Sequence, residues 1–316
     1  MTNTFNTAAY GGKGWQQRIQ THSAEIGTLW QACGIANEFD PLQSVILYRP
    51  GQELIAANDN PDSVQMLQAI DLAQAQDEHD QLKGNYQDHG VTVNELMVNE
   101  HSSPNLMFCA DLFAMTPMGA ILARPASTVR AGEEVCMASN LARLNIPIIK
   151  TILDQGTFEG ADLMWVNAKT ALLGIGHRTN KNAAFQIARL LEECDVSLTL
   201  VDMPFGTMHL MGMLRIVASD LAIAWPRRTP HAAVTLLQEH GYQVVFIEEN
   251  AETESNKAFN FVTLGPRKIL MVDDNPQTKA FYESHQIECI CTPATELSKA
   301  AGAVGCLTGV IQRKAN

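Results

Sequence analysis

A thiol near the chain end, an imidazole and a carboxylate are the side chains of this sequence that could together carry out covalent chemistry. Cys306 lies in the small, glycine-rich segment 302–309, where the backbone can come close to a ligand. His209 precedes one apolar, strand-like stretch and Glu159 precedes another. A cysteine can act as a nucleophile, a histidine as an acid or base, and a carboxylate as a partner for a cation. The order Glu, His, Cys makes chemistry on a guanidinium group the leading hypothesis.

Each of these residues also has a non-catalytic interpretation. A single cysteine is more often a small buried thiol than a nucleophile, and a histidine at the start of a strand is more often a hydrogen-bonded core residue. Arg130 and Arg178 each lie between a strand and a helix, where their planar forks would suit a substrate carboxylate or, equally, a surface salt bridge. Glu159 and Asp162 would be costly to bury without a cation or hydrogen-bond donors.

Composition and charge narrow the classes of protein. The chain has 316 residues and a formal net charge of −12, which argues against a nucleic acid or an anionic membrane as the main partner. The seven cysteines have no metal-type spacing, and Cys289 and Cys291 are interpreted as packing thiols. No apolar run reaches the ~18 residues of a membrane helix, and no secretory signal is recognised, so we expect a cytoplasmic protein. Without a phosphate-binding glycine motif, no cofactor is predicted.

The pattern of elements predicts the architecture. Strand-like segments and helices follow one another as strand, strand, helix, strand, roughly every 50–60 residues, which favours a radial repeat of ββαβ units with sites at its centre. Residues 1–38 are predicted to be an N-terminal extension and residues 39–316 a single catalytic domain. Strands are predicted at 44–48, 91–96, 120–123, 146–152, 163–166, 171–175, 198–201, 214–217, 221–225, 243–247, 261–264, 268–272 and 287–291. Helices are predicted at 65–88, 132–144, 180–193, 230–240 and 276–285, with a short one near 15–26.

Five segments in this order resemble the guanidino-group modifying superfamily, the penteins. The superfamily includes arginine deiminase, arginine dihydrolase, dimethylarginine dimethylaminohydrolase and glycine amidinotransferase. Residues 41–54 are similar to its first strand and Arg-Pro-Gly turn, 75–80 and 90–93 to the deiminase first helix and next strand, and 104–113 to the segment that ends in Arg-Asp. Residues 159–162, Glu-Gly-Ala-Asp, match Glu-Gly-Gly-Asp with one small substitution. The resemblance covers nearly the whole chain from about Pro41 and implies an α/β fold, a five-bladed propeller of ββαβ units.

The resemblance also implies roles for particular residues. By position, Cys306 would be the nucleophile and His209 the acid and base. Glu159 and Asp111 would hold the guanidinium group. Arg130 and Arg178 would bind the α-carboxylate. The substrate-binding residues implied in this way are Asp111, Asn105, Arg130, Arg178 and Asp162, with Asn105 matching an asparagine of the dihydrolase branch. The implied mechanism forms an S-alkylthiouronium intermediate on Cys306 and needs no metal.

Two departures from the family pattern bear on the substrate. Ala110 stands where deiminases usually have arginine, and Met211 stands two residues after the histidine, where deiminases and amidinotransferases carry aspartate. The missing carboxylate at Met211 weakens a plain arginine deiminase assignment, and residues 209–212, His-Leu-Met-Gly, resemble the dihydrolase branch more closely. The leading hypothesis is therefore a hydrolase of arginine or a close derivative, by deimination or by dihydrolysis to ornithine and ammonia. The alternatives are an amidinotransferase, a dimethylarginine hydrolase and a non-catalytic binding protein. The expected partner is an arginine-like small molecule, and the sequence leaves open whether the chain forms a homo-oligomer.

Overall fold

The protein is a ring of small sheets. The computed structural model describes residues 4–98 and 103–314, and in this part of the chain fifteen strands form five three-stranded sheets. The strands are β1 Leu42–Leu47, β2 Thr92–Glu95, β3 Phe113–Thr116, β4 Gly119–Leu122, β5 Ile148–Thr151, β6 Leu163–Asn167, β7 Thr170–Ile175, β8 Ser197–Asp202, β9 Leu214–Ala218, β10 Leu221–Ala224, β11 Gln243–Phe246, β12 Val262–Gly265, β13 Lys268–Val272, β14 Glu288–Thr292 and β15 Gly309–Arg313.

Four of the sheets are ββαβ units that run without interruption along the chain. In each, the first two strands form an antiparallel hairpin, and a helix then leads to a third strand parallel to the second, as in β3, β4 and β5. The helices are α1 His22–Glu25, α2 Glu53–Ala57, α3 Leu72–Asp88, α4 Glu133–Arg143, α5 Lys181–Glu193, α6 His231–Glu239, α7 Ala251–Glu254, α8 Pro276–Ser284 and α9 Val304–Leu307. The predicted ββαβ repeat is confirmed, and every predicted strand is present.

The fifth sheet closes the ring with both ends of the chain. The C-terminal strand β15 pairs antiparallel with β1, and β1 pairs parallel with β2 after the crossover through α3. Residues such as Val45 and Val310 lie opposite each other in this pair. The C-terminal strand therefore takes the place of the first strand of a ββαβ unit. This closure brings the segment that contains Cys306 to the centre of the ring.

The first two strands of each sheet are more buried than the third. Strands β3, β9 and β12 are buried at every residue, whereas third strands such as β2 and β11 are exposed at both ends. Short apolar strands suit such an interior because β-branched and aliphatic side chains pack well on a pleated surface. An axial cavity of about 90 Å³ lies among the first strands. The loops that precede these strands therefore converge at one place.

The N-terminal segment, predicted to be an extension, contacts the propeller in its second half. Cys33 is buried, the backbone of Gly34 exchanges hydrogen bonds with β15, and Glu38 accepts a hydrogen bond from the Trp165 backbone N–H at 2.9 Å. Glu38 and Ile35 also line the axial cavity.

Three local predictions are wrong. The helix predicted at 65–88 begins at Leu72, because the Asp71 side chain caps it by accepting from Gln74 N, and the backbone N–H groups of residues 67 and 68 instead donate to Lys299 O. The helix predicted near 15–26 is reduced to α1. Strands β3 and β15 were not predicted, since they follow the glycine-rich and polar segments that carry site residues. In the described residues, no helix has the length and apolar character needed to cross a membrane.

Candidate active site

Each of the five sheets places a polar or reactive side chain shortly upstream of its first strand. Asp111 precedes β3, Glu159 precedes β6, and His209 precedes β9. Asn260 precedes β12 and Cys306, on the single turn α9, precedes β15. Because the first strands surround the axis, these five positions meet at one end of it. The structure thus brings Asp111, Glu159, His209 and Cys306, predicted from distant parts of the sequence, into one cluster.

Carboxylates on one side of the cluster are paired with a buried arginine. The Arg130 guanidinium donates to Asp111 Oδ2 at 2.6 Å and to Glu133 Oε2 at 2.9 Å, and its Nη1 lies 3.6 Å from Glu159 Oε2. Arg130 is only 3% exposed. Burial would lower its pKa, but the three carboxylates outweigh burial and raise it. Arg130 therefore neutralises part of the acidic cluster, and it also lines a small cavity beside Cys306.

His209 and Glu159 form a buried ion pair. His209 Nε2 lies 2.7 Å from Glu159 Oε2, and His209 Nδ1 lies 3.7 Å from Asp111 Oδ1. Burial alone would lower the pKa of His209, but Asp111, Glu159 and Asp162 raise it to about 9. Burial would raise the pKa of Glu159, but the contact with His209 and the charges of Arg130 and Arg178 lower it. At neutral pH the imidazole is therefore a cation that can donate a proton.

Two buried polar atoms of residues that line the cavity beside Cys306 have no hydrogen-bond partner among the described residues. Asp111 Oδ1 is an unused acceptor, and Arg178 Nε is an unused donor. Arg178 is otherwise held by its Nη1, which donates to Glu159 Oε1 at 3.4 Å. Buried polar groups are almost always hydrogen-bonded, so an unused acceptor and an unused donor on residues that line one cavity are typical of a ligand site.

Cys306 is held by an asparagine that contacts it twice. Asn260 Nδ2 donates to Cys306 Sγ at 3.0 Å, and Asn260 Oδ1 accepts from the Cys306 backbone N–H at 3.1 Å. Burial raises the pKa of the Cys306 thiol, as does the Asp111 carboxylate, whereas the Asn260 amide opposes this shift. These surroundings therefore favour the neutral thiol, and a cation bound at Asp111 would favour its ionisation.

Asp162 positions the site from behind. Its Oδ2 accepts from the Thr179 hydroxyl at 2.6 Å, and its Oδ1 accepts from the Leu210 backbone N–H at 3.0 Å. Burial raises the pKa of Asp162 to about 6. Asp162 was predicted to bind substrate, but its two oxygens are used by the segments that carry Arg178 and His209. In this geometry Asp162 orients its neighbours and is not among the residues that line the cavity.

The cavity beside Cys306 is small, and half of its lining residues were predicted from the sequence. It has a volume of about 30 Å³ and is lined by Gln65, Asn105, Phe108, Asp111, Arg130, Arg178, Met208, His209, Ala300, Ala301, Gly302 and Cys306. The Asn105 side chain donates to Val64 O at 2.7 Å, which fixes its amide against the segment that precedes α3.

The cluster of Asp111, Glu159 and His209 also has the spacing of a metal site, since one ligand atom of each lies within 4.8 Å of the others. The charges already present there do not fit a cation well. Arg130 and the protonated His209 occupy the same carboxylates, and a divalent ion would be repelled by both. The donor set therefore suits a guanidinium group better than a metal ion.

Two residues of the site were missed by sequence reasoning. Asn260 has no motif around it, and only its place before a first strand, shared with the other four residues, would have revealed it. Arg215 is a charged residue in the otherwise apolar strand β9, and burying a charge is costly enough to have been a signal. Its guanidinium lies behind the thiol, against Gly305, where an added Cβ would collide with Arg215 Nη2.

The ring of five ββαβ blades, with its carboxylate, imidazole and thiol groups before the first strands, defines the class: the chain has the fold of the penteins, the guanidino-modifying superfamily. A family model described as "N,N dimethylarginine dimethylhydrolase, eukaryotic" matches residues 53–313. The chain belongs to this family. Its relatives are hydrolases or amidinotransferases that act on guanidino C–N bonds.

Solved structures with the same fold come from several branches. A mutant of the DDAH from Pseudomonas aeruginosa, complexed with citrulline, has 22% sequence identity and a TM-score of 0.72, covering 86% of this chain and all of that one. The N-terminal domain of ArgZ, an arginine dihydrolase from the cyanobacterial ornithine-ammonia cycle, has 18% identity and a TM-score of 0.74, covering 87% and 98%. SxtG, an amidinotransferase of Microseira wollei, has 14% identity and a TM-score of 0.73, covering 90% and 98%. At these identities the likeness establishes the fold alone.

Proposed function

We propose that the protein is a cysteine-dependent hydrolase that cleaves a C–N bond of the guanidinium group of an arginine derivative. The observation that carries this proposal is the pair of unused buried atoms, Asp111 Oδ1 and Arg178 Nε, in one cavity with Cys306 and His209. An unused acceptor complements a guanidinium N–H, and an unused arginine donor complements a carboxylate. An arginine-like molecule carries both groups.

Cys306 is the group that attacks in the proposed reaction. When the substrate guanidinium pairs with Asp111, its positive charge offsets the carboxylate that raises the thiol pKa, so binding favours the thiolate. The thiolate attacks the central guanidinium carbon and forms the C–S bond of a tetrahedral adduct. Asn260 holds the sulfur through its amide N–H while the negative charge is present.

His209 supplies the proton for the bond that breaks. As a cation paired with Glu159, it can protonate the departing nitrogen, and the C–N bond breaks to give a free amine and an S-alkylthiouronium group on Cys306. The neutral imidazole then takes a proton from water, which adds to the same carbon. Collapse of this adduct returns the thiol and releases a ureido product, so each turnover consumes one water and produces one amine.

Met211 favours a substituted guanidinium group as the substrate. An aspartate at this place would accept a hydrogen bond from an N–H of the terminal nitrogen, whereas a thioether is only a weak acceptor. A terminal nitrogen that carries two methyl groups has no N–H to donate and suits a thioether better. With the family match over residues 53–313, this supports Nω-methylated arginines as substrates ahead of arginine itself.

The test is product analysis with purified protein. We expect asymmetric dimethylarginine to give citrulline and dimethylamine, arginine to react more slowly, and EDTA to leave the rates unchanged. Cys306→Ala should reduce turnover at least ~1000-fold, because it removes the nucleophile. Cys194→Ala is the matched control, since Cys194 lies at the end of α5, outside the cavity. Absence of product from every guanidino compound tested, arginine included, would refute the proposal.

A further inference from the structure

Cys306 and His209 line a second cavity on their other side. This second chamber has a volume of about 270 Å³, against about 30 Å³ for the cavity that contains Asp111 and Arg178, here called the first chamber. The residues common to both chambers are Met208, His209, Ala301 and Cys306. The nucleophile and the proton donor therefore lie at the junction of two spaces, and the unused acceptor and donor on which the proposed function rests belong to residues of the smaller one.

The second chamber has an apolar wall and a cationic rim. Trp225, which is 5% exposed, lies in the wall with Met211 and Met213. Arg228 and Lys257 lie at the rim, with the Arg228 guanidinium 4.2 Å from the centre of the Trp225 ring. This combination suits a short aliphatic group followed by a negative charge.

The two rim cations have no anionic partner in the described part of the chain. The neighbouring Arg227 is paired with Glu249, but among residues 4–98 and 103–314 no carboxylate lies within 4.0 Å of Arg228 or Lys257. Glu254 also lines the chamber and is exposed, yet it forms no ion pair with either cation among the described residues. An anion entering the chamber would therefore meet two cations whose charge no ion pair in the described structure satisfies.

The direction of the proposed reaction decides what occupies this chamber. The guanidinium carbon must lie near Cys306, and the guanidinium nitrogens that pair with the Asp111 carboxylate must lie in the first chamber. His209 protonates the departing nitrogen and lines both chambers. The substituent on that nitrogen is then directed away from the first chamber and into the second.

We propose that the second chamber binds the substituent of the departing nitrogen, and that the preferred substrates are arginines whose Nω substituent ends in a carboxylate. This inference rests on the proposed function and specifies its substrate class. A suitable compound is Nω-(2-carboxyethyl)arginine. Cys306 forms the C–S bond, the C–N bond to the carboxyethylamine breaks, and His209 gives its proton to that nitrogen. Water then releases citrulline, so the products are citrulline and β-alanine.

The experiment compares substrates of the same shape and different charge. Nω-(2-carboxyethyl)arginine and its neutral amide, Nω-(2-carbamoylethyl)arginine, differ in charge but not in length. We expect a kcat/KM at least ~10-fold higher for the carboxylate at low ionic strength, with a smaller ratio in 0.5 M NaCl because the rim is partly exposed. A ratio near one, or a preference for the amide, would overturn the inference.

Variants connect this preference to the chamber. Arg228→Met and Lys257→Met should each lower the carboxylate-to-amide ratio of kcat/KM by ~3–10-fold, and the double variant should lower it further. Arg227→Met is the matched control: its side chain is exposed and outside the chamber, so the ratio should stay as in the wild type. An unchanged ratio in the Arg228 and Lys257 variants would also overturn the inference.

The outcome separates this inference from the proposed function. Cleavage of dimethylarginine without a charge preference refutes the second-chamber assignment and leaves the hydrolase assignment standing. Failure of every guanidino compound to react refutes both. The protein could also transfer the amidino group from arginine to β-alanine and lose this activity in Arg228→Met. That result would support the assignment of the second chamber and would show that the reaction is amidino transfer in place of hydrolysis.

Discussion

Two buried arginines lie near Cys306 and differ in what surrounds their guanidinium groups. Arg130 contacts the carboxylates of Asp111, Glu133 and Glu159. Arg215 lies 5.1 Å from the centre of the Phe261 ring, with Nε and Nη2 buried and without hydrogen-bond partners in the described structure. Burial lowers the pKa of Arg215 to about 10, whereas the carboxylates raise that of Arg130.

This difference separates the two sides of the site. On the carboxylate side, charges of both signs are paired, and the geometry is part of the stable fold. On the thiol side, the Arg215 guanidinium forms no ion pair within 4.0 Å among the described residues, although the charge of Glu38 acts on it from farther away, and it lies next to a thiol whose pKa burial raises. Unpaired buried charges reduce stability, and such sites are typical of places where function requires the charge. Substitutions on the carboxylate side should therefore lower the stability of the fold, and substitutions on the thiol side should lower the reactivity of Cys306.

The largest effect is expected from replacing each arginine by methionine. Arg130→Met leaves the buried carboxylates of Asp111 and Glu133 without their arginine and should lower the free energy of unfolding by about 3–5 kcal/mol. Arg215→Met removes a buried charge whose Nε and Nη2 have no hydrogen-bond partner among the described residues, and it should leave stability unchanged or raise it. Urea denaturation at pH 7 measures both. Equal losses in the two variants would show that the more distant charge of Glu38 stabilises Arg215 as much as the carboxylates stabilise Arg130.

The next effect is the pH dependence of stability that His209 contributes. Its pKa is about 9 in the fold and 6.5 in the reference state, so its stabilisation is fully present below pH 6.5 and is lost as pH rises through about 9. The shift corresponds to at most about 3 kcal/mol. Asp162, with a pKa of about 6, does not titrate above pH 7.5.

The measurement compares wild type with His209→Asn by urea denaturation between pH 7.5 and 9.5. Cysteines titrate in the same range in both proteins, so only the difference between them reports on His209. The wild type should lose its advantage as pH rises. A difference that stays constant with pH would show that His209 is not protonated in the fold.

The sequence was sufficient for the repeat but not for its closure. Short apolar strands separated by helices predicted ββαβ units, because period and turn residues are local signals. Strand β15 was not recognised, since its residues Gly309–Arg313 follow a glycine-rich segment and become a strand only by pairing with β1 at the other end of the chain. The beginning of α3 was misplaced for the same reason: residues 67 and 68 bond to Lys299, which is distant in sequence.

The residues of the site could be nominated, but their partners could not. Motif order identified Cys306, His209 and Glu159, and the structure brings them together. The pairing of Arg130 with Asp111 depends on how two loops of one sheet face each other, which spacing does not specify. Asn260 became visible only when five equivalent loops met at one axis. Asn260 and Cys306 are 46 residues apart in the chain, and the two hydrogen bonds between them connect two different sheets.

The smallest expected effect concerns the reactivity of the Cys306 thiol, on the side of the site that contains Arg215. Asn260 donates to Cys306 Sγ, and the charge of Arg215 also favours the thiolate. Asn260→Ala and Arg215→Met should each raise the thiol pKa, slowing alkylation of Cys306 by iodoacetamide at pH 7 about 3–10-fold. Asn260→Asp places a carboxylate beside the sulfur and should slow it more. Mass spectrometry can follow Cys194 in the same samples as an internal control. If Arg215→Met left the Cys306 profile unchanged while Asn260→Ala shifted it, the amide alone would set the reactivity of the thiol, and the buried charge behind it would need another explanation.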